Sequence, residues 1–267
     1  MASTLNGANP SVLLSTEELL AVLDMLQANF IPGLDGDIAQ ALSSQERQLM
    51  LTTARHSLLA RELLRENENG AALHRRIMAA VGACVYSQGA ILAFHWPPKS
   101  GQPSRFFGHF QGNEVVAHTR PKEILHRFVI FDERAALVDA LLEAFEHEPT
   151  PPAPPWKLAV ARDLLATARS DAEAGRLDQA MRVLSAHGQS DPAVRVLVQT
   201  FAASPRVTIL QLLKQGNEKS ALSQTMTLVQ DKRYLWMMLP DDEARQQLVV
   251  QTSSVAEVAN YLTHWFD

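Results

Sequence analysis

Four histidines fall within about thirty residues of one another, His95, His109, His118 and His126. Imidazole is the commonest metal-ligating side chain and the one that titrates near neutral pH, so a cluster of this kind raises the question of a metal centre. His109 and His118 occur in SRFFGHFQGNEVVAHTR, on the two arms of an expected hairpin, with His95 and His126 on the flanking strands. Phe107, Phe110, Val115 and Val116 are interleaved with them, and the register that would decide whether the four converge is not written in the sequence. They are expected to be scattered over a sheet surface, and no metal ligand is assigned.

Cys84 is the other candidate reactive group and the only cysteine. A single thiol excludes an intramolecular disulfide and a multi-cysteine zinc site. It lies in the apolar stretch AAVGACVY with no neighbouring base to lower its pKa, which predicts a small buried thiol and no nucleophile. No glycine-rich phosphate loop, HExxH pair or nucleophile elbow is present. No catalytic, cofactor-binding or metal residue follows, and the chain is not expected to be an enzyme or to need a cofactor.

The elements that would position these residues are those of a globular protein. The chain has 267 residues, 46% hydrophobic and 20% charged, with a net charge of −5. Lys and Arg number 12 against 17 Asp and Glu in residues 1–148, and 12 against 12 in 149–267. Neither half is basic, which speaks against a dedicated nucleic-acid surface. No apolar run approaches the roughly 20 residues of a bilayer span. The first fourteen residues carry no Lys or Arg and predict a frayed terminus instead of a secretory signal, hence a cytoplasmic location.

EPTPPAPPW, residues 148–156, divides the chain, because five closely spaced prolines disfavour both helix and ladder. It predicts a first half over 1–148, a Pro-rich linker over 149–155 and a second half over 156–267. In the first half, Ser15 with Glu18 and Ser43 with Glu46 are capping boxes. They open one helix running to about Phe30 and a second with Leu49, Leu58, Leu59 and Leu63 facing inward. A third is expected from about Ala71 to Val85, after a turn at Asn69 and Gly70. AILAFHW, SRFFGHF, EVVAHTR and HRFVIF then read as strands, and FVIFDERAALVDALLEAF turns into a closing helix.

After the linker come three helical segments, broken at Gly175, Gly188 and Asp191–Pro192. RVTILQLLK, LSQTMTLVQDKRYLWMMLP and QQLVVQT follow as strands, then a last helix. ARSDAEAGRLDQAMRVLSAHGQSDP has tetratricopeptide-like spacing, but one such hairpin builds no solenoid and an ordinary helical pair is expected. The repeated order, at an offset near 120 residues, predicts an α+β fold of two pseudo-symmetric halves, each a helical cluster, antiparallel strands and a closing helix, with two small sheets that could join into one.

Arg47, Arg55, Arg61, Arg65, Arg75 and Arg76 lie on the second and third expected helices. Three helices and a hairpin also build a winged helix, so a DNA-binding regulator using residues 47–85 is the alternative function. Interleaved Glu62, Glu66 and Glu68 favour solvated faces with i to i+4 pairing. Large apolar residues near strand ends are more suggestive of a partner surface. HWPP at 95–98 and YLWMMLP at 234–240 occupy corresponding places, and Trp96, Tyr234, Trp236 and Met237 are the expected partner-binding residues.

PGLDGDIAQALSSQERQLMLTTARHSLLARELL, with the helix and strands after it to Phe145, resembles the N-terminal half of the secretion-associated EspG family. The resemblance rests on a leucine-rich first helix and on Ala54, Arg55, Ser57, Leu58, Ala60, Arg61, Leu63 and Leu64 in the second. Glu62 departs from it, standing where a small residue is usual. What the resemblance implies is a cytoplasmic, non-enzymatic chaperone that binds helical substrate proteins of a type VII secretion system, with halves related by a pseudo-two-fold. No set of binding residues carries over.

Overall fold

The computed structural model describes residues 9–28, 30–34, 42–68, 70–185, 191–215, 221–241 and 246–266. The breaks expected at Asn69 and Gly188 lie outside them, as do residues 1–8 of the expected frayed terminus. The fold is α+β, built on antiparallel strands. The chain divides into two compact units, one of Met1–Leu92, Arg105–Ala140 and Lys214–Lys219, the other of Ala93–Ser104, Leu141–Leu213 and Ser220–Asp267.

The first unit opens with β1 (Ser11–Ser15), where a frayed terminus was expected. Val12 and Leu14 are buried and alternate with exposed neighbours, and β1 pairs antiparallel with β7 (Leu125–Phe131) from Ser11↔Val129 to Ser15↔Leu125. Five residues are too short to signal a strand alone; the partner some 110 positions later decides it. Helices α1 (Thr16–Met25) and α2 (Ser44–Ala60) follow, each with its capping box formed.

Both helices end through a left-handed residue. Gln27 (φ 53°) stops α1 short of Phe30, with Ala28 N returning to Leu23 O, and Glu62 (φ 57°) stops α2, with Leu63 N returning to Leu58 O. This is the six-to-one closure of a helix C-terminus. The buried stripe of α2 is Leu51, Ala54 and Leu58, whereas Leu49, expected inside, is 68% exposed because it falls on the opposite face.

The third expected helix is only partly one. β2 (Leu64–Asn67) and β3 (Gly70–Leu73) form a hairpin from Leu64↔Leu73 to Asn67↔Gly70. Helix starts only after His74, as α3 (Arg75–Ile77), a π-helical turn (Met78–Gly82) and α4 (Ala83–Val85). Ala71 and Ala72 carry helix propensity, but Gly70 (φ 112°) turns the chain back onto β2 and tertiary pairing overrides it. β4 (Gly89–Trp96), β5 (Ser104–Gln111) and β6 (Glu114–Lys122) then lead to β7 and to α5 (Arg134–Ala144). The unit's strand order is β1-β7-β6-β5, followed by residues 89–92 of β4.

The second unit has a similar order, with no counterpart of the β2–β3 hairpin among its described residues. β8 (Lys157–Ala161), expected as the start of a helix, is a strand whose Leu158 and Val160 are buried. α6 (Arg162–Glu173), α7 (Leu177–Ser185) and α8 (Asp191–Ala202) come next, then β9 (Arg206–Gln215), β10 (Ala221–Gln230), β11 (Leu235–Pro240), β12 (Gln247–Ser253) and α9 (Val255–His264). β10 and β11 were expected as one strand. They are split at Asp231, whose Oδ1 accepts from Arg233 N and Tyr234 N, both at 2.7 Å, and makes the turn. The order is residues 93–96 of β4, then β9-β10-β11-β12-β8. Here too the first strand pairs with the last.

Candidate partner-binding surface

Strand alternation divides β4 and β9 into two working faces. On β9, Thr208 is fully buried while Ile209 is half-exposed; on β4, His95 is buried while Trp96 is half-exposed. Trp96 and Ile209, with Pro97 and the largely buried Val207, wall a groove of about 460 Å³ rimmed by Arg169 and Glu173 of α6, an ion pair at 2.7 Å. A second groove of about 700 Å³ shares Ser204 and Pro205 with it. It is lined by Pro98, Pro149, Thr150, Arg206, Lys232 and Arg233. Apolar walls with a charged rim are the anatomy of a surface that takes a protein segment.

The inner residues form a buried polar chain under these grooves. His95 Nδ1 lies 2.8 Å from Thr208 Oγ1, which lies 2.9 Å from His147 Nε2. His147 Nδ1 is 2.7 Å from Gln230 Oε1, and Gln230 Nε2 donates to the Glu148 carbonyl at 2.7 Å. His95 also stacks on Phe145 with ring centroids 4.7 Å apart. Burial, then His147 and Arg206, draw His95 down to about 4; burial lowers His147, with Arg206 adding to it and the Gln230 hydrogen bond opposing.

The expected partner-binding residues fare differently. Trp96 walls the first groove, and Tyr234 is half-buried against Trp156, ring centroids 5.7 Å apart. Trp236 (0% exposed) and Met237 (4%), also expected to bind a partner, are buried in the core. The Trp236 ring stacks on Trp156 at 6.1 Å and its Nε1 donates to Thr200 Oγ1. β11 lies between β10 and β12, and its alternate residues Trp236 and Met238 pack in one core with residues of α6, α7 and α8. Val207, Ile209 and Arg169 were not anticipated, since no local motif marks residues that a groove gathers from distant segments.

The histidines are likewise corrected: all four are buried, none on a sheet surface. His109, His118 and His126 lie together in the first unit, while His95 joins His147 in the second. Among the described residues no group of three or more His, Cys, Asp or Glu is arranged to hold a metal ion. Burial raises the Cys84 thiol well above its ordinary range, and its Sγ donates to the Ala80 carbonyl.

Two of the arginines in the alternative DNA-binding reading are engaged within their own unit. Arg55 pairs with Asp24 at 2.9 Å and Arg61 with Glu18 at 2.6 Å, tying α2 to α1. The β2–β3 hairpin occupies the place where a recognition helix would begin.

No family model and no curated protein matches the chain in sequence. A solved structure matches it in fold. The Mycobacterium tuberculosis type VII secretion system chaperone EspG5, described in complex with the PE25–PPE41 dimer, superposes with a TM-score of 0.66 over 95% of this chain and 94% of its own. The chain has the EspG5 fold. Identity is 11%, so the likeness is one of fold. The likeness in fold spans residues of both units. Among the described residues no helix is long and apolar enough to cross a membrane.

Proposed function

We propose that the chain is a non-enzymatic, protein-binding chaperone or adaptor of the cytoplasm, and that its partner is a helical protein destined for secretion. The observation that carries this is the pair of adjoining grooves along Trp96, Val207, Ile209 and Arg206, whose apolar walls suit one face of an amphipathic helix. The EspG5 fold supports it, since that chaperone is described holding a protein dimer. The shared order of pairing in the two units supports their descent from one duplicated half, with residues 149–155 as the linker.

The test is co-expression with small helical secreted proteins of the same organism, followed by size-exclusion chromatography at low and at about 0.5 M salt. A stoichiometric complex that persists at high salt, and that the double variant Trp96→Ala/Ile209→Asp fails to form, is the expected result. Complexes unaffected by that variant, or recovery of salt-labile nucleic acid alone, would overturn the proposal.

A further inference from the structure

The polar chain beneath the grooves has a direction. Gln230 Nε2 donates to the Glu148 carbonyl, which turns Gln230 Oε1 toward His147 Nδ1. An amide oxygen only accepts, so Nδ1 carries the proton and, in the neutral ring, Nε2 is the acceptor. Thr208 must then donate its single hydroxyl proton to Nε2, at 2.9 Å, and accept from His95 Nδ1, at 2.8 Å. Donors therefore run from His95 through Thr208, His147 and Gln230 to the Glu148 carbonyl. The four side chains are 0% to 6% exposed, so each link replaces water.

A proton added to His147 would arrive at Nε2, the atom that faces the Thr208 hydroxyl proton. Thr208 would have to turn that proton away while accepting from both rings. The charged groups around the pair are Arg206 on β9 and, beyond α5, Glu146, which pairs with Arg206 at 3.7 Å, and Glu148. β10 presents Gln230 and then Asp231, whose carboxylate is engaged by Arg233 N, Tyr234 N and Thr200 Oγ1. β4 brings His95 itself, stacked on Phe145. The chain ends at Gln230 and Glu148, and both line the second groove, as do Pro149 and Thr150.

We propose that His95, Thr208, His147 and Gln230 form a proton-operated latch on this groove. With both imidazoles neutral, the latch holds the Glu146–Thr150 lip against β10; a proton taken up by the pair frees the lip. What an open lip does to a bound partner rests on the function proposed above, but the opening itself does not and is measurable on the free protein.

The test is hydrogen–deuterium exchange of the full chain, without partner, at about pH 7.5 and about pH 5, corrected for the intrinsic rate. Burial holds both imidazoles below their ordinary value in the closed form, so a ring that regains its ordinary value on opening favours the open form in acid, below about 6.5, and not at pH 7.5. Amides between Glu146 and Thr150 should therefore exchange at least about tenfold faster in acid, while β11 and β12 do not change. His147→Gln should abolish that response. Should His147→Gln not fold, Thr208→Ala takes its place: Nε2 no longer faces a hydroxyl proton, and the step must move to higher pH. Equal exchange of the lip at both pH values, acceleration shared with β11 and β12, or a response unchanged in these variants would overturn the latch.

Discussion

His118 Nε2 lies 2.9 Å from His126 Nδ1, and His126 Nε2 continues to Thr16 Oγ1 at 3.2 Å, so three side chains tie β6, β7 and the start of α1 together inside the first unit. His109 stacks beside His118 with ring centroids 6.4 Å apart, and among the described residues neither of its nitrogens has a hydrogen-bond partner. All three are fully buried. Burial draws His109 to about 3, His126 to about 4, with Arg120 adding and Glu17 opposing, and His118 well below its ordinary value.

Acid should therefore destabilise the fold well before its carboxylates titrate. The folded-state values are depressed, so below about 6.5 the unfolded chain binds protons that the native chain refuses. The stability tied to neutral imidazoles is full above that pH and lost as pH falls toward the folded values. Each such histidine contributes a slope of about 1.4 kcal/mol per pH unit across its window. Calorimetric Tm should fall between pH 7 and pH 5. His109→Leu, which removes a buried imidazole without partners, should flatten the slope by one proton and keep Tm at pH 7 equal or higher. A Tm independent of pH over this range would refute the account.

Glu18 is the anchor between α1 and α2. Its carboxylate accepts from Arg61 Nη1 at 2.6 Å, Ser57 Oγ at 2.7 Å and Ser15 N at 2.9 Å. Burial alone would raise its pKa, but these hydrogen bonds together outweigh that and hold it below the usual range. Arg61 also donates to the Leu13 carbonyl on β1. Glu18→Ala should cost about 2–3 kcal/mol in chemical denaturation, because it strands three donors. Arg61→Ala should cost less, as its side chain is 42% exposed.

Gly33 should tolerate no side chain. Its φ is +86°, and a Cβ there would meet the Phe107 ring at 2.7–2.8 Å. Gly33→Ala combines left-handed strain with overpacking of a buried aromatic, for an expected loss of about 2 kcal/mol. Gly70→Ala, with φ +112° but open space around it, should show the strain without the clash. Equal losses at the two positions would argue against the Phe107 contact.

Groove substitutions should separate binding from folding. Trp96→Ala removes a half-exposed wall and should leave Tm within about 2 °C while weakening the partner complex at least about tenfold. Trp236→Ala empties the core and should lower Tm by several degrees, since the ring is fully buried against Trp156 and Thr200. A stable Trp236→Ala that abolishes binding would restore Trp236 as a surface anchor.

Local chemistry wrote much of this protein. Ser15 with Glu18 and Ser43 with Glu46 announced two helix starts within four residues each, because a capping box is a short-range hydrogen-bond exchange. The change from helical to alternating period placed β4, β5, β6 and β7, and the repeated order of elements announced an α+β architecture. What had no local signature was decided by tertiary contact. β1 and β8 are strands because β7 and β12 lie alongside them, and Ala71–Ala72 are a strand because Leu64 faces Leu73. The fate of each histidine depended on register: a shift of one residue exchanges the two faces of a strand. That shift separates a buried His95 from a groove-lining Trp96, and composition carries no record of it. The groove itself, drawn from Trp96, Arg169 and Ile209, exists only once those three segments are brought together.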